Sequence, residues 1–270
     1  MKILYINHYA GGPHYGMEFR PYYLSREWMK AGHEVLILAA SFSHVRAQQP
    51  KVTDRPEEEL YEGIVFRWYP TPSYAGNGVR RVWNMLSFLG WLYRDGKRIA
   101  REFQPEVVIA SSTYPMDIWP ARRIAKITGA KLVFEVHDLW PLSPIELGGM
   151  SRWHPFTIWG QMAEDAAYRH ADVVISMLPK VQEYMESRGL KPGKLHIVPN
   201  GVALEEWQTN TSPLQGYMIE LFSRLKNEGW RIVGYTGAHG VANALGILLD
   251  AAALMKDERI AFVLVGSGPN

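Results

Sequence analysis

Four stretches of the chain concentrate residue types that could do chemistry. The first is His137-Asp138, which closes the run Lys131-Leu-Val-Phe-Glu-Val136. The second is His8-Tyr9-Ala10-Gly11-Gly12-Pro13-His14-Tyr15-Gly16, a loop with three glycines. The third is Thr236-Gly237-Ala238-His239-Gly240-Val241-Ala242-Asn243, and the fourth the hydroxyl run Ser111-Ser112-Thr113. An imidazole at a strand end can contact a polar ligand or move a proton, whereas glycine loops let backbone N–H groups approach an anion. Each has a plainer reading. His137 could bond to backbone and Asp138 could cap the next turn of chain. The hydroxyls of Ser112 and Thr113 could bind a sugar or phosphate, or cap the next helix.

These residues need elements to hold them. Lys2–Ile6 reads as a buried strand, and a helix follows the first glycine loop from about Glu18 to Ala31, with Pro21 in its first turn and Gly32 as its C-terminal cap. His33–Ala40 and Gly63–Tyr69 are further strands, and the polar stretch Ser41–Tyr61 reads as a mobile surface loop. Strands near 106–110, 131–136, 172–177 and 194–198 alternate with helices near 79–103, 117–128 and 156–170 and a short one after Pro179. Trp140, Pro141 and Pro144 predict irregular chain after His137. The alternation predicts an α/β fold, a Rossmann-like doubly wound parallel sheet over residues 1–202. Residues 203–229, with Pro213, read as a linker. A second strand, glycine loop, helix and strand over 230–270 opens another Rossmann-like domain. Two parallel strands leave apolar faces uncovered, so the expectation is a fragment cut inside its second domain.

Composition narrows the classes. The 270 residues are 47% hydrophobic with net charge +2, which gives no global field for nucleic acid, and no nucleic-acid partner is expected. There are no cysteines, which excludes disulfides and suits a cytoplasmic setting. No apolar run reaches the roughly 18–20 residues that span a bilayer. Residues 79–103 form a long helix with Trp83, Trp91 and the cations Arg80, Arg81, Arg94, Lys97, Arg98 and Arg101. Such a helix can lie on an anionic membrane surface, or pack as a core helix with long basic side chains reaching solvent. The glycines at 11, 12 and 16 do not form the dinucleotide fingerprint, which argues against an NAD oxidoreductase.

Five segments then carry a resemblance: Gly16–Leu24, Phe134–Pro141, Ile197–Val202, Gly234–Gly240 and Leu264–Pro269. Together they resemble the retaining glycosyltransferases of family 4, which have the GT-B fold, and within these the O-antigen and capsule enzymes such as N-acetyl-L-fucosamine transferases. The resemblance implies transfer from a nucleotide sugar, a UDP-sugar, to a lipid-linked saccharide acceptor. It places the protein in the cytoplasm, peripheral on the inner face of the plasma membrane. It implies that His137 contacts the donor sugar, and that Gly11, Gly12 and Gly16 face donor phosphates or acceptor. Gly237, His239, Gly240 and Asn243 would meet the diphosphate, and Glu18, Arg20, Ser112 and Thr113 are acceptor-side candidates. No cofactor or metal is expected, and the chain has no Asp-x-Asp pair. Two features depart from the family pattern. His239 and Asn243 stand where many members carry an Arg and a Lys, and the acidic E-x7-E motif would lie beyond residue 270. The fragment is therefore expected to be inactive in transfer. A nucleotide-sugar epimerase and a non-catalytic carbohydrate-binding module are the alternatives; an assay with and without acceptor separates the first, and ligand binding to residues 1–200 alone the second.

Overall fold

The computed structural model describes all residues except 77, 210–214, 241–242, 257, 267 and 269–270. Pro213, Val241, Ala242, Ser267 and Pro269 of the stretches above lie outside the described residues. The chain divides into two compact units, Met1–Val202 and Ala203–Asn270.

Unit 1 is an eight-stranded sheet flanked by helices. Its strands are β1 (Lys2–Ile6), β2 (Glu34–Ala40), β3 (Glu57–Tyr61), β4 (Ile64–Tyr69), β5 (Val107–Ala110), β6 (Lys131–Val136), β7 (Val173–Ser176) and β8 (Leu195–Ile197). They lie in the order β3-β4-β2-β1-β5-β6-β7-β8. All neighbours are parallel except β3 with β4. The central strands are buried on both faces, which is why β1, β2 and β6 read as near-continuous apolar runs. One face packs on α2 (Val79–Glu102), α3 (Ile118–Thr128) and α5 (Pro155–His170); side chains such as Phe88, Leu92, Ile124 and Tyr168 fill that core. The other face packs on α1 (Arg20–Lys30), around Tyr5, Tyr22, Ile37, Phe66 and Trp68. Strand order reverses between β1 and β5, and α/β sheets bind ligands at such switch points.

Three expectations for unit 1 need correction. The polar run 41–61 is not all loop, because β3 pairs with β4 from Glu57↔Trp68 to Tyr61↔Ile64. Its glutamates suit an edge strand, where charge discourages further pairing. Glu59 also accepts hydrogen bonds from the Tyr15 hydroxyl at 2.6 Å and the Trp68 indole at 2.8 Å. Prolines 141 and 144 do not prevent a short helix, α4 (Leu142–Glu146), because Pro141 precedes it and Pro144 lies in its first turn. Finally, α1 begins at Arg20 rather than Glu18.

Unit 2 holds α7 (Leu204–Thr209), α8 (Gly216–Asn227), β9 (Arg231–Thr236), α9 (Leu245–Leu254) and β10 (Ile260–Val265), and unit 1 also contains the short α6 (Gln182–Ser187). Strands β9 and β10 form a parallel pair. The residues read as a linker contain α8, which packs on β9 and belongs to this unit. No described residue of the unit is fully buried, and Ile247, Leu249 and Leu254 are exposed.

Candidate functional site

The site forms where β1, β5 and β6 end side by side. Asn7, just past β1, donates its amide to the Ser111 carbonyl at 2.8 Å, and the His8 backbone N–H donates to Ser112 Oγ at 3.0 Å. His137 follows β6. Its side chain is 8% exposed, with Nε2 2.9 Å from Ser111 Oγ and 3.4 Å from Glu135 Oε2. Its Nδ1 is 3.8 Å from Glu18 Oε1. His137 is thus held by side chains from three segments, with a carboxylate on each side of the ring. Asp138 accepts a hydrogen bond from Ser143 in α4 and ties down the turn after the strand.

Beneath His137 lies Glu135, 2% exposed. Its Oε2 accepts from Ser111 Oγ at 2.6 Å and from the Tyr5 hydroxyl, and its Oε1 from Arg20 Nε at 3.0 Å. Burial alone would raise this carboxyl. The hydrogen bond and charge of His137, the charge of Arg20 and the Ser111 hydrogen bond outweigh burial and hold it down at about 2. Arg20 is itself buried, and its remaining donors reach the Val198 carbonyl, the Pro199 carbonyl and Asn200 Oδ1. It supports the site from below rather than meeting an acceptor directly.

A pocket opens beside His137. Ser112, Thr113, Asp138, Trp140 and Glu164 help to line it. It is small, and hydroxyl, imidazole and carboxyl groups face it next to an indole. Ser112 is fixed by its own N–H donating to Asp117 Oδ2 at 2.9 Å. Burial pushes the Asp117 carboxyl up to about 7. It does the same to Glu164, also about 7, although that group accepts from Tyr168, Tyr184 and Gln161.

The first glycine loop does not offer its amides outward. Gly11 N–H donates to the Glu18 carbonyl at 2.9 Å, and Gly12 and Gly16 bond each other's carbonyls at 3.0 and 2.7 Å. The glycines are needed for packing. A Cβ on Gly11 would stand 2.2 Å from the Gly16 carbonyl oxygen, and Gly16 has φ of +90°. The N–H groups of Gly11, Gly12 and Gly16 are therefore engaged within the loop itself. The loop instead places Glu18 next to His137. In unit 2, Gly237 N–H donates to the Val265 carbonyl at 3.0 Å, and Asn243 donates its side-chain amide to the Ala238 carbonyl at 2.7 Å. The Gly240 carbonyl accepts from Asn243 N–H at 3.0 Å. His239 Nε2 is buried with no hydrogen-bond partner among the described residues. Among those residues, no three His, Cys, Asp or Glu side chains group so as to hold a metal ion.

A family model for the glycosyl transferase 4-like domain matches residues 15–201. The chain belongs to the glycosyl transferase 4-like family. The matched span contains Glu18, Arg20, Ser111, Glu135 and His137 of this site. Among solved structures, sucrose-phosphate synthase from Thermosynechococcus elongatus is 16% identical, with a TM-score of 0.61 over 98% of this chain and 62% of that one. Anabaena HepE, in complex with UDP and glucose, is 16% identical, with a TM-score of 0.59 over 99% of this chain and 61% of that one. Arabidopsis thaliana UGT89C1, complexed with UDP, is 14% identical, with a TM-score of 0.51 over 98% and 65%. These likenesses establish the GT-B glycosyltransferase fold. The chain spans about three fifths of the first of these structures. No curated protein sequence matches.

Sequence reasoning missed Tyr5 and Glu135 as parts of the site, and Glu164 as part of the pocket wall. For Glu135 a signal existed: a glutamate interrupts an otherwise apolar buried strand, and a buried carboxylate needs partners.

Proposed function

We propose that the protein transfers a sugar from a UDP-sugar, with retention of anomeric configuration, to a lipid-linked or other saccharide acceptor in surface polysaccharide synthesis. The O-antigen and capsule enzymes, including N-acetyl-L-fucosamine transferases, are the group it is read into. The carrying observation is His137, held at the carboxyl end of β6 beside a polar pocket within the family-matched span. In this reading His137 contacts the donor sugar and stabilises charge developing near the anomeric carbon. Ser112 and Thr113 meet the acceptor. The diphosphate is met in unit 2 by the 237–243 segment, where His239 Nε2 has no protein partner among the described residues and serves as donor. No metal or cofactor takes part in this reading.

In a form of the protein that is active in transfer, His137→Ala is expected to lower transfer to a polyprenyl-diphosphate-linked saccharide by roughly 100-fold or more, as loss of a group stabilising transition-state charge does. Incorporation of labelled sugar into the lipid fraction measures it, alongside thermal unfolding. Near-normal transfer by a folded variant would make His137 a structural residue only.

A peripheral position on the inner face of the plasma membrane completes the reading, and α2 supports it. Its inner side buries Met85, Phe88, Leu89 and Leu92, so it is a core helix on that side. Its outer side exposes Val79, Trp83, Leu86 and Tyr93. Among the described residues, no helix is long and apolar enough to cross a membrane. Arg98 is engaged by Asp95 at 2.6 Å, so the cations offered to lipid headgroups are Arg94, Lys97 and Arg101, the last exposed although 3.8 Å from Glu102. The protein should float with vesicles containing about a third anionic lipid. Replacing Trp83 and Leu86 with Ala, and Arg94, Lys97 and Arg101 with Gln, should abolish flotation. Equal flotation by that variant, or none by the wild type, removes the membrane assignment.

A further inference from the structure

We propose that Arg20 is a positioning residue that locks His137 to the segment by which the chain leaves unit 1. The connection can be followed atom by atom. His137 Nε2 meets Ser111 Oγ at 2.9 Å, and Ser111 Oγ donates to Glu135 Oε2 at 2.6 Å. Glu135 Oε1 accepts from Arg20 Nε at 3.0 Å. The other end of the same guanidinium turns the opposite way. Its Nη2 donates to the Val198 carbonyl at 2.9 Å, and its Nη1 donates to Asn200 Oδ1 at 2.9 Å and the Pro199 carbonyl at 3.3 Å.

Residues 196–201 are exposed, and β8 ends at Ile197. Past Val198 N–H, which donates to the Ser176 carbonyl at 2.9 Å, the segment has left the sheet. A short exposed segment of this kind would be expected to fray. Instead three of its acceptors converge on one buried, planar cation. A guanidinium suits this task because its five N–H groups point in fixed directions. A lysine, with one compact ammonium, cannot serve Glu135 and three further acceptors at once. Val202 is the last residue of unit 1, so Arg20 ties the closing residues of this unit to the network around His137.

This inference rests on the glycosyltransferase reading for its functional meaning. There, His137 contacts the donor sugar, so the network that holds its ring bears on the reaction geometry. Amide hydrogen exchange tests the lock without any reaction. In Arg20→Met, exchange at Val198, whose N–H donates to the Ser176 carbonyl while its own carbonyl accepts from Arg20, should accelerate at least about tenfold, the effect of losing one charge-assisted hydrogen bond on local opening. Amides of β1, β5 and β6 should keep their relative protection. Arg20→Lys should give most of the same acceleration. Asn200→Ala removes a single exposed acceptor of Arg20 without threatening the fold, and should accelerate Val198 a few-fold. In transfer assays Arg20→Lys should lower kcat about tenfold or more while donor KM stays within about threefold, a change expected when geometry rather than binding is lost. Unchanged exchange at Val198 in both Arg20→Lys and Asn200→Ala would overturn the proposal. So would acceleration spread evenly over all of unit 1. If the wild type turns over no nucleotide sugar yet the exchange pattern is as stated, the lock stands and the reaction assignment falls.

Discussion

Glu135→Ala is expected to destabilise unit 1 by about 3–5 kcal/mol, the range seen when one partner of a buried ion pair is removed. The carboxylate is 2% exposed and is the acceptor for Arg20, Ser111 and the Tyr5 hydroxyl, with His137 3.4 Å away. Deleting it leaves a buried guanidinium with no counter-charge and two hydroxyls without their acceptor. The pair need not be more stable than an apolar core would be; the penalty comes from breaking half of it. Glu135→Gln keeps the shape and should lose less, about 2 kcal/mol, because one oxygen still accepts.

The pH dependence stems from the same contacts. The Glu135 carboxyl is held at about 2, against 4.5 for the free group. A carboxyl lowered by folding stabilises fully above its unfolded value and loses that contribution as pH falls towards its folded value. The difference in stability between wild type and Glu135→Gln should therefore be constant from pH 7 to about 5. It should then shrink as the pH falls below about 4.5 and be largely gone by pH 3, a loss on the order of 2 kcal/mol. Urea unfolding at pH 7, 5, 4 and 3 measures it. A difference that does not change over this window would show that the carboxylate is not the stabilising form.

How far the sequence carries depends on the range of the interactions involved. The strand-to-helix alternation is local, and it places β1, β5 and β6 and the residues at their ends where the structure has them. The Phe-Glu-Val-His pattern shows that polar groups end a buried strand. It does not show that Glu135 meets Tyr5 and Arg20, because those partners lie 130 and 115 residues away in the chain. The glycines at 11, 12 and 16 announce a tight loop, yet glycine content cannot tell whether the amides point at a ligand or back into the loop. Residues 41–61 misled most. Their polarity suggested a solvated loop, but Glu59 and Arg46 are polar residues that serve buried partners, and composition alone cannot distinguish a polar group facing water from one satisfying the interior.

Arg46 carries the second large effect, and it shows how a loop read as peripheral supports the site. Its guanidinium is 5% exposed and donates to the Ala10 and Ala40 carbonyls at 2.8 Å each and to the His8 carbonyl at 3.1 Å. It lies 4.9 Å from the Trp68 ring centre. Burial pushes this group down, to about 9, so it remains charged at neutral pH. Its acceptors lie where β1 and β2 end, and the adjoining Ala47 N–H donates to the Tyr15 carbonyl at 2.9 Å, so the same residues anchor the Gly11–Gly16 loop. For Arg46→Met two terms oppose. Methionine relieves the burden of keeping a cation out of water, and it fills much of the same volume. Against that, three carbonyls lose a donor, at about 1–3 kcal/mol for each acceptor left buried and unsatisfied. The His8 carbonyl keeps the Ala40 N–H at 3.1 Å, so two acceptors decide the balance. The expected net loss is about 2–4 kcal/mol by urea unfolding, with Arg46→Lys recovering only part because one ammonium cannot reach acceptors on both strand ends. The loss should appear first as faster proteolytic cleavage between residues 10 and 50, since that loop is anchored through Arg46. A variant within about 0.5 kcal/mol of wild type, the range of an ordinary surface substitution, would mean that relief of the buried charge outweighs the orphaned carbonyls and that the loop holds without its cation.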